Sequence, residues 1–182
     1  EWRCGDREML YFDQERYADP GKSIRGGIPV LFPICGNLPG DLLEVNGVAH
    51  TLKQHGFARN LPWQLQLLED QSGVRLALRD TEETLAAYPF SFLVEMEIRP
   101  GAQALEIHTK IQNRSESVMP FSFGLHPYFN ISDLAQTDLA GLNDRCLNHL
   151  EMAETDTASQ LGRLPDGVDF LCRPAGPVTL ID

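Results

Sequence analysis

Two histidines, two arginines and a glutamine stand where acid–base or ligand-binding chemistry could use them. His126 closes the run "VMPFSFGLH" and is followed by Pro127. Proline removes a backbone donor and confines the residue before it to extended conformations, so His126 is held at a strand end among aromatics. An imidazole titrates near neutrality and can pass a proton at ordinary pH, which suits a general acid. A histidine that caps a strand end through a backbone hydrogen bond would leave the same pattern. His55 lies in "LKQHGFARN", beside Gln54 and close to Arg59. Gln, His and Arg together offer donors in several directions, as a polyhydroxylated or anionic ligand requires. Gly56 permits close backbone approach or a positive φ. A solvated turn before Trp63 reads the same way.

The other titratable groups suggest less. His50, His108 and His149 have no such company and read as surface residues. A metal set of His55, His126 and Cys35 lacks the ligand spacings of zinc sites, so no metal is expected. Cys4, Cys35, Cys146 and Cys172 lie far apart with no C-x-x-C spacing. They read as reduced thiols of a cytoplasmic protein.

Arg25 belongs to "SIRGGIPVLFPICGN", where a glycine pair beside an arginine suggests a phosphate loop or a nucleic-acid arm. A phosphate loop leads into a helix whose N-terminus meets the anion. Here Pro29 and Pro33 bracket Val30, Leu31 and Phe32, and no helix starts. A nucleic-acid arm would be repeated and basic. This stretch occurs once, in a 182-residue chain of formal net charge −11. That charge argues against a surface built to neutralise phosphate backbones. A local basic pocket inside an acidic shell remains compatible with it. No apolar run reaches membrane-spanning length and no signal peptide opens the chain, so neither a nucleic-acid nor a membrane partner is expected.

The elements that must position these residues alternate with period two. In "PFSFLVEMEIRP", Phe90, Phe92, Val94, Met96 and Ile98 share a face. In "ALEIHTKIQNRS", Leu105, Ile107, Thr109 and Ile111 do the same, and Pro100–Gln103 makes a natural hairpin loop. "WQLQLL" and "VRLALRD", split by Gln71-Ser72-Gly73, form a second pair. "VMPFSFGLHPYF" adds a strand with Met119, Phe121, Phe123 and Leu125 on its core face. Helix is expected only over 81–88, stopped by Pro89, with an irregular candidate at 132–142. Residues 130–168 are polar and weakly periodic, which predicts a long connection or surface meander. The whole predicts an all-β sandwich. A single domain over 1–182, incomplete at both ends, is expected, since the chain starts without methionine and stops in the strand-like "GPVTLID".

Taken together, "SIRGGIPVLFP", "KQHGFARNLPW", "EETLAAYPFSF" and "FSFGLHPYF" resemble the aldose 1-epimerase (galactose mutarotase) superfamily. The nearest likeness is to its hexose-6-phosphate epimerase-like branch, carried by roughly residues 9–130. The resemblance implies a large antiparallel β-sandwich that interconverts α- and β-anomers of a sugar or sugar phosphate without a cofactor. It makes His126 the general acid at the ring oxygen and His55 the second active-site histidine, which orients the sugar. It assigns Arg25, Gln54 and Arg59 to the pocket wall and the phosphate, and Asp169 in "DGVDF" to sugar hydroxyls. It fixes no oligomeric state.

Two departures stand out. The family's base, a glutamate in an E-P-W-like segment near the C-terminus, has no counterpart here, and neither do the last strands of the sandwich. Ile34-Cys35-Gly36-Asn37 replaces the usual aromatic with glycine after "LFP". The alternative is a non-catalytic carbohydrate-binding or sensing protein on the same scaffold, since fold does not fix function.

Overall fold

The computed structural model describes residues 1–19, 21–22 and 25–182. Ser23 and Ile24, the first two residues of the arginine-bearing motif, lie outside the described residues. Strands dominate. In chain order they are β1 (Arg3–Cys4), β2 (Arg7–Glu8), β3 (Val30–Leu31), β4 (Leu42–Val45), β5 (Val48–Thr51), β6 (Gln64–Leu67) and β7 (Val74–Arg79). There follow β8 (Phe92–Pro100), β9 (Leu105–Asn113), β10 (Gly124–Leu125), β11 (Asp138–Asn148), β12 (Ala153–Asp156) and β13 (Phe170–Ile181). The helices are short: α1 (Gln14–Ala18), α2 (Glu82–Ala87) and α3 (Thr157–Leu161). The chain groups into two compact units, 1–129 and 130–182.

The first unit is built on the antiparallel sheet β6-β7-β8-β9, the two hairpins the alternation predicts. Phe90, Phe92, Val94 and Met96 are buried, and Ile107 and Ile111 of the partner strand pack against them. Burying such side chains contributes about 1.5–3 kcal/mol each. On the outer face Arg75 meets Glu97, its direct register partner, and Arg99 bridges Asp70 and Glu97. Phe32 is fully buried at the centre of an aromatic cluster with Phe57, Tyr88 and Phe92. The Tyr88 hydroxyl donates to the Pro120 carbonyl at 2.7 Å, and burial pushes its pKa well above the usual value.

α2 forms where expected because Thr81 caps it. Its hydroxyl accepts from the Thr84 amide at 3.2 Å, while the Thr84 hydroxyl accepts from the Thr81 amide at 2.8 Å. Such a reciprocal pair satisfies two of the helix's orphan donors. The segment leading to His126 departs from expectation. Met119 is buried, but Phe121 is 48% exposed and Leu125 36%. Only Gly124–Leu125 form a strand there, paired with Val30–Leu31 of β3. Pro120 cannot donate to a ladder, so the alternation does not run on from Met119.

The second unit corrects the expected meander. β11 pairs with both β12 and β13 in an antiparallel sheet, and α3 packs on it. Register shifts between Ala140 and Leu142, and again between Leu142 and Cys146, break the alternation along β11. Asp156 caps α3, accepting from the Ser159 amide at 3.0 Å.

Candidate active site

The first unit brings Arg25, Gln54, His55, Arg59 and His126 to one cavity of about 690 Å³. Asn60 and Tyr128 share its wall, together with Gly26, Ile28 and Pro29. Among these residues there are two guanidinium groups, two imidazoles and no carboxylate. In a chain of net charge −11 the lining is therefore locally cationic or neutral.

Backbone lacing delivers one wall. The Tyr11 amide donates to the Tyr128 carbonyl at 2.9 Å, the Tyr128 amide to the Gly27 carbonyl at 2.9 Å, and the Gly27 amide to the Tyr11 carbonyl at 2.7 Å. This leaves no room for a side chain at Gly26, whose φ is +124° and whose added Cβ would strike Phe12 and Tyr11 backbone atoms. Arg25 emerges beside Tyr128 and donates to its hydroxyl at 3.3 Å. The His126 amide donates to the Pro29 carbonyl at 3.0 Å, which sets the histidine at the end of the β3–β10 pair. Its ring leans on that of Tyr128, with centroids 4.9 Å apart. Tyr128 thus braces both an arginine and a histidine of the cavity. Sequence reasoning passed it over, although a residue two positions beyond His126 projects to the same side in extended chain.

The other wall is a left-handed turn. His55 and Gly56 have φ of +65° and +67°. At Gly56 a Cβ would overlap the Phe32 carbonyl, so both the φ and the close approach require glycine. The Phe57 and Ala58 amides donate to that same carbonyl at 3.1 and 3.2 Å. The next turn, Ala58–Asn60, presents Arg59 and Asn60 and is pinned by Trp63, whose indole N–H donates to the Ala58 carbonyl at 2.9 Å. Arg59 also donates to the Gln54 carbonyl at 3.4 Å.

His55 exchanges two hydrogen bonds with Gly36. Its amide donates to the Gly36 carbonyl at 2.9 Å, and the Gly36 amide donates to its Nδ1 at 3.0 Å. An Nδ1 that accepts carries no proton, so the neutral ring holds its proton on Nε2 as a fixed donor. Burial lowers the pKa of His55 below its ordinary 6.5, and the charges of Arg59 and His126 lower it further. The neutral form therefore prevails at pH 7. The sign of the linkage follows: the unfolded chain binds this proton at a pH where the folded chain does not. Stability falls as pH drops below 6.5 and levels off once folded His55 is protonated. Denaturant unfolding across that window should show a shallower pH dependence in His55→Gln than in wild type. An identical dependence in both refutes the assignment.

Asp169 belongs to the second unit, where its Oδ1 lies 3.0 Å from Nδ1 of His149. The register that pairs Asn148 with Phe170 brings these two together. Among the described residues no group of three or more His, Cys, Asp and Glu side chains could hold a metal ion. No described helix is long and apolar enough to cross a membrane.

Residues 6–164 match the family model described as Aldose 1-epimerase. The chain is 32% identical over 176 residues to a protein of Escherichia coli (strain K12) named "Putative glucose-6-phosphate 1-epimerase", covering 92% of this chain and 54% of that one. A protein of the same name from Cenchrus ciliaris is 32% identical over 146 residues, covering 74% and 41%. The chain thus spans about half the length of these curated relatives. Among solved structures, the Slr1438 protein of Synechocystis sp. PCC 6803 superposes with a TM-score of 0.88 at 37% identity, over 96% of this chain and 62% of that one. A galactose mutarotase related enzyme from Lactobacillus acidophilus shares the fold, with a TM-score of 0.67 at 24% identity over 97% and 56%. The fold is accordingly the all-β architecture of galactose mutarotase-like proteins.

Proposed function

Because the chain belongs to the aldose 1-epimerase family, we propose that the protein carrying it interconverts the α- and β-anomers of a hexose 6-phosphate. The observation that carries the reading is the convergence of Arg25, Gln54, His55, Arg59 and His126 on one cavity otherwise poor in charge. Ring opening needs an acid at the ring oxygen and a base at the anomeric hydroxyl, with the roles reversed on closure. His126 is the acid: its ring stands at the cavity wall and its backbone is fixed by Pro29. His55 is the orienting donor, offering Nε2–H to a sugar oxygen while its Nδ1 is occupied by Gly36. Arg25 and Arg59 hold the phosphate through charge-assisted hydrogen bonds. For the full reaction a carboxylate must face His126 across the sugar, and Asp169 is proposed to bind sugar hydroxyls.

NMR of freshly dissolved α-glucose 6-phosphate and α-glucose tests the proposal. Anomer exchange above the buffer rate is expected with the phosphorylated sugar. Exchange no faster than buffer for these and for a panel of other aldoses overturns it. Arg59→Ala should raise KM for glucose 6-phosphate about tenfold or more, since a hydrogen bond to a charged group contributes about 1.5–3 kcal/mol. KM for unphosphorylated glucose should stay unchanged. An equal rise for both sugars would move Arg59 from the phosphate to the sugar ring.

The same donors, Arg25, Gln54 and Arg59, would hold a sugar phosphate without turning it over, which supports a second reading, a sugar-binding or sensing protein without catalysis. It predicts saturable sugar-phosphate binding by calorimetry with no acceleration of anomer exchange.

A further inference from the structure

Cys146 and Cys172 are separated in sequence but stand directly opposite each other in the antiparallel ladder of β11 and β13. Residues so paired project to the same face with Cα atoms about 4.5–5.5 Å apart. That separation lies inside the window of about 4.4–6.8 Å that a disulfide spans without backbone movement. Both thiols are free. They differ in access, Cys146 being buried at 4% exposure and Cys172 half-buried.

The ladder beside them explains the local geometry. Between the pairs Leu142–Pro174 and Cys146–Cys172, β11 carries Asn143, Asp144 and Arg145 against the single residue Arg173. This bulge turns backbone carbonyls toward Cys172, whose Sγ lies 3.4 Å from the Asn143 carbonyl and 3.5 Å from that of Arg145. The Thr157 hydroxyl of α3 is 3.7 Å away on the same side. These contacts are weak, as sulfur hydrogen bonds are, so little holds the thiol to them.

We infer that Cys146 and Cys172 form a redox-reversible cross-strand disulfide, a modification site within the second unit. The oxidant is a low-molecular-weight disulfide. The Cys172 thiolate attacks one of its sulfurs and expels a thiolate, leaving a mixed disulfide on Cys172. The Cys146 thiolate then attacks the Cys172 sulfur and expels the second small thiol. Two protein thiols lose two electrons, one external disulfide becomes two thiols, and the protein's thiol protons pass to the departing thiolates. The link would tie β13 to β11 next to the bulge, where the ladder is interrupted.

The full chain equilibrated in glutathione buffers, from fully reduced to fully oxidised, tests this by thiol trapping, digestion and mass spectrometry. A peptide joining Cys146 to Cys172 should accumulate as the buffer becomes oxidising and disappear on return to reduced glutathione. The thermal midpoint should rise in the linked form. Cys4→Ser and Cys35→Ser should keep the link, and Cys172→Ser should abolish it. Wild-type chain that carries only glutathione adducts in the most oxidising buffer overturns the inference, as does a link from either cysteine to Cys4 or Cys35. Because the wild-type peptide map alone gives the answer, a poorly folding variant does not blur it.

Discussion

His126→Asn should lower the rate of anomer exchange by about 10²–10⁴-fold, the usual worth of a positioned general acid. Asparagine keeps a polar group of similar reach but passes no proton between pH extremes. The substitution leaves the support of the site in place. The His126 amide still donates to the Pro29 carbonyl, and the side chain is exposed, so no core contact is lost. The two arginines remain to hold the sugar phosphate, so the loss should fall on kcat with KM little changed. NMR exchange rates on freshly dissolved α-glucose 6-phosphate, paired with circular dichroism to show intact folding, read this directly. An unaffected rate removes His126 from the acid's role.

The largest effect on stability should come from Phe32→Ala, at about 3–5 kcal/mol for an aromatic deleted from a packed core. Phe32 has no exposed surface and sits edge-on to Phe92 at 5.1 Å, with Phe57, Tyr88 and Phe121 at 6.0–6.3 Å. Against a total stability of about 5–15 kcal/mol for a typical domain, that loss is a large fraction. Denaturant unfolding gives the number, with Leu65→Ala as comparison. Leu65 is 63% exposed on β6 and should cost no more than about 0.5 kcal/mol. A Phe32→Ala cost under about 1 kcal/mol would contradict a core centred on this ring. The same variant should disturb the site, because the Phe32 carbonyl receives the amides of Phe57 and Ala58 that fix the turn bearing Arg59.

How much of this was legible in the sequence depended on how regular each segment is. Over 90–98 the apolar residues recur with a period of two apart from Leu93, which is buried as well, and Phe90, Phe92, Val94 and Met96 are buried as the pattern implies. Gly56 could be marked as special because glycine beside a histidine in a polar turn has few other uses. Its closeness to Phe32 could not be read, since that contact joins residues far apart in the chain. The strand reading of 118–129 ran too long because apolar residues alternate across Pro120, which cannot donate to a ladder, and only Gly124–Leu125 pair. β11 was hidden for the opposite reason: its register shifts interrupt alternation, so a real strand reads as polar meander. The pairing of Cys146 with Cys172 and of His149 with Asp169 followed from that same unread register. In the cavity, the five first-unit residues were named from local company and family likeness. Tyr128 was missed because a tyrosine after proline carries no signal of its own until its neighbours are placed.

The hydrogen bond from the Gly36 amide to His55 has an evolutionary consequence. Every residue except proline supplies a main-chain N–H, so the donor that orients the imidazole does not depend on which side chains surround it. Cys35 and Asn37, neither of which lines the described cavity, can therefore change while the histidine keeps its proton on the same nitrogen. The position of the proton on the ring thus depends on the path of the backbone and not on the neighbouring side chains.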